Sequence, residues 1–493
     1  MPAERDGRLY RFDPPDGAGV FLGLGVAQCA LVGGGLLVSV AATTAGAPIL
    51  AAVVPAVLGI AAAFARLGGR TAWEWAAVLG SWSWARVGRG RRWLVPVPLL
   101  LDGEKTPLPP CLAGLSVVEV PWRGRQRLGA VADSVAHTLT AAVRVASSAF
   151  VVASRAEQDR LVGGWGDLLN QFATEGSAVA HVSWSDAARP SGLGQHHQWL
   201  VGARQADVDH EAAASYSELL ADASRVATAH EVVVTITVSR DRLGRRRNPG
   251  GGDEALGRAL ASSVEALLRG ARDASLVVGD PLSAAEIRRL LRARTDPFST
   301  REGAVGGRLV ERLGLVSASG AGPMALETRW DSVRIDGAWH RIFLVAGWPR
   351  VPVGPAWLEP FLAGAGLNRT MTVYCCPVSA YRSRRAIERD LVKLDSDAAV
   401  REDKGRRVDA RHRRATQALL EREAELVSGF AEMRYVGLVG VAATDEEALD
   451  AAAEEVCQAG REAGLELRSL DGRQDLAWGA SLPLGLAPRH LLA

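Results

Sequence analysis

Lysine is nearly absent from this chain of 493 residues, which carries only Lys105, Lys393 and Lys404. Arginine supplies almost all the positive charge, and 57 basic against 55 acidic side chains leave a net charge of +2. No chain-wide basic field therefore argues for nucleic acid; basic residues cluster locally at Arg86 to Arg92, Arg123 to Arg127 and Arg240 to Arg247, and the last reads as a solvated hairpin or connector in preference to a phosphate or DNA site. Cysteine is also scarce. Cys29, Cys111, Cys375, Cys376 and Cys457 have neither CxxC nor zinc-finger spacing, which argues against a disulfide framework or structural zinc and fits reduced thiols.

The signatures of catalysis are missing as well. Gly103, Glu104, Lys105 and Thr106 resemble the end of a phosphate-binding loop. Glu104 stands directly before the lysine, Leu99 stands where the loop should open, and no helix follows. Asp445 and Glu446 follow a strand as a magnesium-holding acidic pair would, but without a phosphate loop they read as the capped first turn of a helix. There is no G-x-S-x-G, and Cys375 and Cys376 lie in an apolar strand where inert burial is the default. His196 and His197 sit in a Gly-rich loop without partners at ligand spacing. Nothing selects Glu327 with Asp331 from 55 carboxylates as an acid and base. The expectation is no catalytic residue, no cofactor and no metal: a protein that is not an enzyme.

The longest absence of charge runs from Gly17 to Ala65, forty-nine residues without Asp, Glu, Lys or Arg. A helix rises about 1.5 Å per residue and a bilayer core is roughly 30 Å thick, so about 20 apolar residues cross it. Ala18 to Val40 and Ile49 to Ala65 supply two spans, separated by Ala41 to Ala47, with Pro48 at a helix start and Pro55 predicting a kink. Arg5, Arg8 and Arg11 precede the stretch, and Arg66, Arg70, Arg86, Arg89, Arg91 and Arg92 follow it. The positive-inside rule then predicts a two-pass protein of the cell membrane with both termini cytoplasmic. A signal peptide fits poorly because the apolar run is about twice too long. A buried helical hairpin in a soluble body is the competing reading. Gly19 and Gly23 offer small-xxx-small spacing.

From Gly69 to Trp93, five tryptophans stand among basic residues. Tryptophan prefers the headgroup region and arginine reaches phosphates from there, so Trp73, Trp75, Trp82, Trp84, Arg86, Arg89, Arg91 and Arg92 form a candidate membrane interface. Core tryptophans of the first soluble layer are the alternative. A Pro-rich connector, Val95 to Pro110, ends this region.

Beyond it, strands are predicted at Ser116 to Pro121, His137 to Val145, Ala178 to Trp184 and His230 to Ser239, with helices at Ser154 to Thr174 and Asp209 to Ala229. Asp336 and Gly337, flanked by alternating residues, predict a hairpin. Met371 to Pro377 and Arg434 to Ala443 read as strands and Thr444 to Ala463 as a helix. The fold class is α+β, with sheets that each carry helices on one face. An N-terminal tail (1–16), a transmembrane α-hairpin (17–65) and a juxtamembrane segment (66–112) precede mixed α/β cytoplasmic domains at 113–300 and 301–493. One long charged helix spans about 381–427.

The order of these parts resembles an actinobacterial family of conjugation-type membrane proteins, in which a PrgI-like two-helix anchor is fused to a region similar to the non-catalytic N-terminal half of the type IV secretion ATPase. The residues that carry the resemblance are YRFDPP (Tyr10 to Pro15), TAWEW (Thr71 to Trp75), AEQDRLVGGWGDLLNQFATEG (Ala156 to Gly176), TRWDSVRIDGAWHRIF (Thr328 to Phe343) and QDLAWGASLPLGL (Gln474 to Leu486). In those ATPases a similar LPLG element closes the half that precedes the motor domain. The resemblance implies a membrane-tethered scaffold of a conjugation or type IV-like secretion apparatus. Its implied partners are the lipid bilayer, a separate secretion ATPase or coupling protein, other channel subunits and further copies of itself. A membrane component of a type VII-like secretion complex and a membrane-bound nucleotide-dependent enzyme are the alternatives.

Overall fold

Alternating β-branched and small residues make the strands, and the connections between them set the order of the sheet. The computed structural model describes residues 8–12, 26–67, 70–87, 91–95, 108–146, 150–190, 193, 196, 199–200, 202, 210–243, 252–298, 322–364, 366–403 and 410–488. The principal helices are α1 (Val26–Thr44), α2 (Ile49–Phe64), α3 (Ala72–Val87), α4 (Arg155–Asn170), α5 (His210–Val226), α6 (Gly252–Asp273) and α7 (Ala284–Thr295). They continue with α8 (Ala380–Asp403), α9 (Ala410–Val427), α10 (Glu446–Glu462) and α11 (Gln474–Ser481). The strands of the main sheet begin with β1 (Arg92–Leu94), β2 (Leu115–Pro121), β3 (Arg127–Asp133), β4 (Thr138–Ala146), β5 (Val179–Pro190), β6 (Thr228–Ser239) and β7 (Val277–Pro281). Then come β8 (Ala325–Thr328), β9 (Val333–Ile335), β10 (Ala338–Gly347), β11 (Asn368–Pro377), β12 (Met433–Ala443) and β13 (Glu466–Ser469).

These 13 strands form one sheet in the order β1, β8, β9, β10, β12, β11, β5, β6, β4, β3, β2, with β13 also on β10 and β7 also on β4. The sheet contains the same unit twice. In each unit three successive strands form a meander, the fourth and fifth insert in reversed order, and the sixth pairs with the third. In each, one helix precedes the sixth strand (α6, α10) and one follows it (α7, α11). The fourth strands, β5 and β11, meet antiparallel in the middle, from Arg369 opposite Ala188 to Cys375 opposite Val182.

Both faces of the sheet are covered, which corrects the expectation of helices on one face. Met371, Val373 and Cys375 of β11 join the core under α4, α6 and α10, whereas Tyr374 joins the opposite core with α7 and α11. A strand buried on both sides shows no polar face in its sequence, so period-two alternation could not announce the second layer.

The last helix of the first unit reaches onto the second, and the segment that follows α11 returns to the first. At the end of α7, the Thr295 carbonyl accepts from His340 Nε2 of β10 at 3.0 Å, and Arg292 pairs with Asp336 at 2.5 Å. At the end of α11, Thr372 Oγ1 donates to the Ser481 carbonyl at 2.7 Å and the Tyr374 hydroxyl donates to the Ala480 carbonyl at 2.6 Å. The chain then passes over β4 and β6 at Gly485, whose φ is +76° and where a Cβ would overlap the hydroxyls of Thr140 and Thr237. Only glycine fits both constraints. Removing the Tyr374 hydroxyl strands a buried carbonyl, so Tyr374→Phe should lower the unfolding free energy by about 1–2 kcal/mol in urea titration.

The N-terminal segment is clamped to this body. Tyr10 and Val353 exchange two backbone hydrogen bonds of 2.9 Å. Phe12 stacks on Trp348 with ring centres 5.3 Å apart and meets the edge of Trp357 at the same distance.

The transmembrane hairpin expected at 17–65, and the two-pass membrane location drawn from it, are overturned: among the described residues no helix is long and apolar enough to cross a membrane. The apolar run is divided by the turn at Ala45 to Pro48, where Gly46 takes a φ of +82°. That leaves α2 with 16 residues, about 24 Å of helix against the roughly 30 Å of a bilayer core. α1 starts at Val26, and the earlier part of the expected first span, with Gly19 and Gly23, lies outside the described residues. α1 and α2 pack antiparallel through Gly35 and Gly59, where a Cβ on either would come within 2.7 Å of a backbone carbonyl of the other helix. Their outward faces carry exposed Leu37, Ile49, Leu50 and Leu58.

The single helix expected at about 381–427 is two helices, α8 and α9, which pack on one another. Residues 404–409 between them lie outside the described residues. Folding back lets each helix cover part of the other, which a solitary solvated helix of that length cannot do.

Candidate functional site

Three places concentrate charge or aromatic surface. The first is built on α3. Trp75 stacks on Trp330 at 6.0 Å, Trp82 meets the same ring edge-on at 5.3 Å, and the Arg91 guanidinium lies 3.4 Å above Trp82. Arg92 of β1 pairs with Glu327 at 3.0 Å, and Arg329 pairs with Glu446 at 2.7 Å. The opening between these groups has a volume of about 590 Å³. Of the tryptophans named from the sequence, Trp73 is 53% exposed, whereas Trp75 and Trp82 face the body of the protein. Trp84 and Arg86 belong to α3, but their side chains lie outside the described residues, as does Arg89 altogether. Trp330→Ala removes two aromatic contacts worth about 0.5–1.5 kcal/mol each. The expected result is a loss of about 1–3 kcal/mol and a red-shifted, more quenchable tryptophan emission.

The second place is a groove of about 1440 Å³ beneath α8 and α9. Arg242, Arg382, Arg385, Arg389, Arg422 and Arg434 line it with Glu175, Glu388, Asp390 and Glu432. Arg242, from the basic loop, donates to the Val179 and Pro377 carbonyls at 2.7 and 2.9 Å and so ties the ends of β5 and β11. Arg240 pairs with Asp253. Arg245, Arg246 and Arg247 lie outside the described residues.

The third is a cavity of about 30 Å³ at the junction of the two units, lined by Arg189, Arg294, Arg369, His340, Asn368, Thr370, Trp478 and Ser481 among others. Arg294 ends α7, a helix started by a capping box of Ser283 and Glu286. Burial pulls its pKa down to about 10 against the opposing pull of Glu231, whose carboxylate lies 3.3 Å from Nη2. Arg189 Nη2 donates to the Ala293 carbonyl at 3.2 Å, and Arg369 donates to the carbonyls of Phe361 and Leu362. Burial lowers the His340 pKa to about 4, so the ring is neutral at pH 7 and Nε2 carries its proton toward Thr295.

The residues weighed for chemistry in the sequence are dispersed. Glu327 serves Arg92, while Asp331 serves Arg341 at 2.5 Å. Asp445 accepts from the Ala448 amide at 2.9 Å and caps α10. His196 lies 2.8 Å from the Tyr216 hydroxyl, and His197 is outside the described residues. Cys375 is buried, and desolvation raises its thiol pKa far above the ordinary value. Among the described residues no group of three His, Cys, Asp or Glu could hold a metal. The junction cavity was not legible in the sequence, because its three arginines are separated by 105 and 75 positions (294 − 189 and 369 − 294) and share no motif. No known protein family matches the chain, and no curated protein does.

Proposed function

We propose that the chain is a non-catalytic structural subunit of a conjugation or type IV-like secretion apparatus that docks a separate ATPase or coupling protein. The observation that carries the reading is the contrast between an interlocked body and the two surfaces it holds out. One is the charged pair α8 and α9 above its arginine-lined groove, with Tyr381 and Val392 exposed. The other is the apolar outer face of α1 and α2, the kind of exposed patch that meets another protein. The stretches that carry the resemblance support it: Phe12, Trp75, Trp330, Asp336 and Trp478 all make contacts that clamp the tail or the units together. In this reading α8 and α9 bind the ATPase, and the helix pair meets other channel subunits.

The test is purification of the full chain after mild cross-linking, with identification of what travels with it. A nucleoside triphosphatase should co-purify, and Tyr381→Glu combined with Val392→Glu should reduce its recovery at least tenfold. Recovery of other partners with no nucleoside triphosphatase would refute the proposal.

A further inference from the structure

The lining of the junction cavity is basic, and one of its guanidinium groups is incompletely hydrogen-bonded. Arg189, Arg294 and Arg369 line it, and neither Asp nor Glu does. Glu231 lies 3.3 Å from Arg294 and 3.0 Å from Arg144, which also meets Glu286 at 3.7 Å, and the buried Asp186 acts on Arg294 and Arg369 from beyond ion-pair distance. Arg189 and Arg369 have no carboxylate within ion-pair distance among the described residues; their hydrogen bonds go to uncharged carbonyls. The Arg294 side chain is 4% exposed, and its Nε and Nη1 are buried without any hydrogen-bond partner. A buried guanidinium with unfilled donors is costly, and such groups are ordinarily completed by an acceptor.

We propose that this cavity binds one small inorganic oxyanion of the phosphate or sulfate class. Guanidinium groups match the oxygens of such an anion and form charge-assisted hydrogen bonds with them. Arg294 supplies the free donors, and Arg189 and Arg369 supply the surrounding field. A volume of about 30 Å³ exceeds the roughly 10–15 Å³ that one water requires. A space of that size favours a small anion over a bulkier ester. The anion would bridge α7 of the first unit to β10 and β11 of the second, making the joint between the units a ligand site.

Equilibrium dialysis of the full chain against radiolabelled phosphate in acetate buffer tests this. One phosphate per chain should bind saturably, sulfate should compete, and glycerol phosphate should bind at least tenfold more weakly. Arg294→Met, with its fold checked by circular dichroism, should weaken phosphate at least tenfold. Absence of saturable binding, unchanged binding by the folded variant, or equal binding of the ester each overturns the proposal. Should the variant not fold, selenate soaked into crystals of the unmutated chain decides the matter. An anomalous peak between Arg294 and Arg369 supports the site, and its absence overturns it.

Discussion

Trp478→Ala should lower the unfolding free energy by about 4 kcal/mol, since a buried tryptophan reduced to alanine loses its transfer energy and leaves a cavity. Trp478 is 1% exposed and lies in the core between the sheet and α11. Its ring faces His340 at 6.3 Å, and its carbonyl accepts from Ser481 Oγ at 2.8 Å. The loss therefore falls where α11 turns into the segment that crosses to the first unit. Domains of this kind are stable by only about 5–15 kcal/mol, so the variant should unfold at a clearly lower urea midpoint. Trp73→Ala, at a ring 53% exposed, should stay within about 0.5 kcal/mol of the unmutated chain. Equal effects of the two substitutions would contradict this assignment of the core.

What the sequence disclosed was local. The strand expected at His230 to Ser239 is β6 with two more residues at its start, and the helix expected after Ser154 is α4, capped by that serine's hydroxyl. The turn at Asp336 and Gly337 joins β9 to β10, with Asp336 at a φ of +51°. Each of these is fixed by neighbours along the chain. The tail clamp is not: Phe12 reaches Trp348, and no pattern near either residue announces the other. The doubled unit is equally hidden, because it repeats an order of elements and not a spacing of residues. β3 escaped notice because Gly129 interrupts its apolar pattern. That glycine lets the backbone at Ser283 and Ala284 approach so closely that a Cβ would overlap it.

The apolar run at 17–65 misled for a related reason. Hydropathy sums composition along the chain and does not fix the length of the helices it contains: the break expected at Ala41 to Ala47 falls at Ala45 to Pro48, and the helix after it has 16 residues and packs on the first through glycines. The same residues that read as membrane spans, Gly35 and Gly59 included, are what lets the two backbones touch. The arginines of the junction cavity escaped for the opposite reason: each looks like a solvated charge in its own segment, and only the crossing of α7 onto the second unit brings them together.

Acidification should loosen that crossing through His340. The folded pKa is about 4 and the unfolded value is about 6.5, so between these the unfolded chain binds the proton and the folded chain does not. The contribution of neutral His340 is complete above about pH 6.5 and is lost as the pH falls toward about 4, a total of about 3 kcal/mol at 1.36 kcal/mol per unit. Because Nε2 holds the Thr295 carbonyl at the end of α7, the loss is felt at the joint between the units. His340→Gln should be less stable at pH 7 but should lose about 3 kcal/mol less than the unmutated chain between pH 7 and pH 4 in urea titrations. Other groups titrate equally in both proteins and cancel in the difference. Parallel stability curves for the two would show that His340 is not the group that couples this joint to pH.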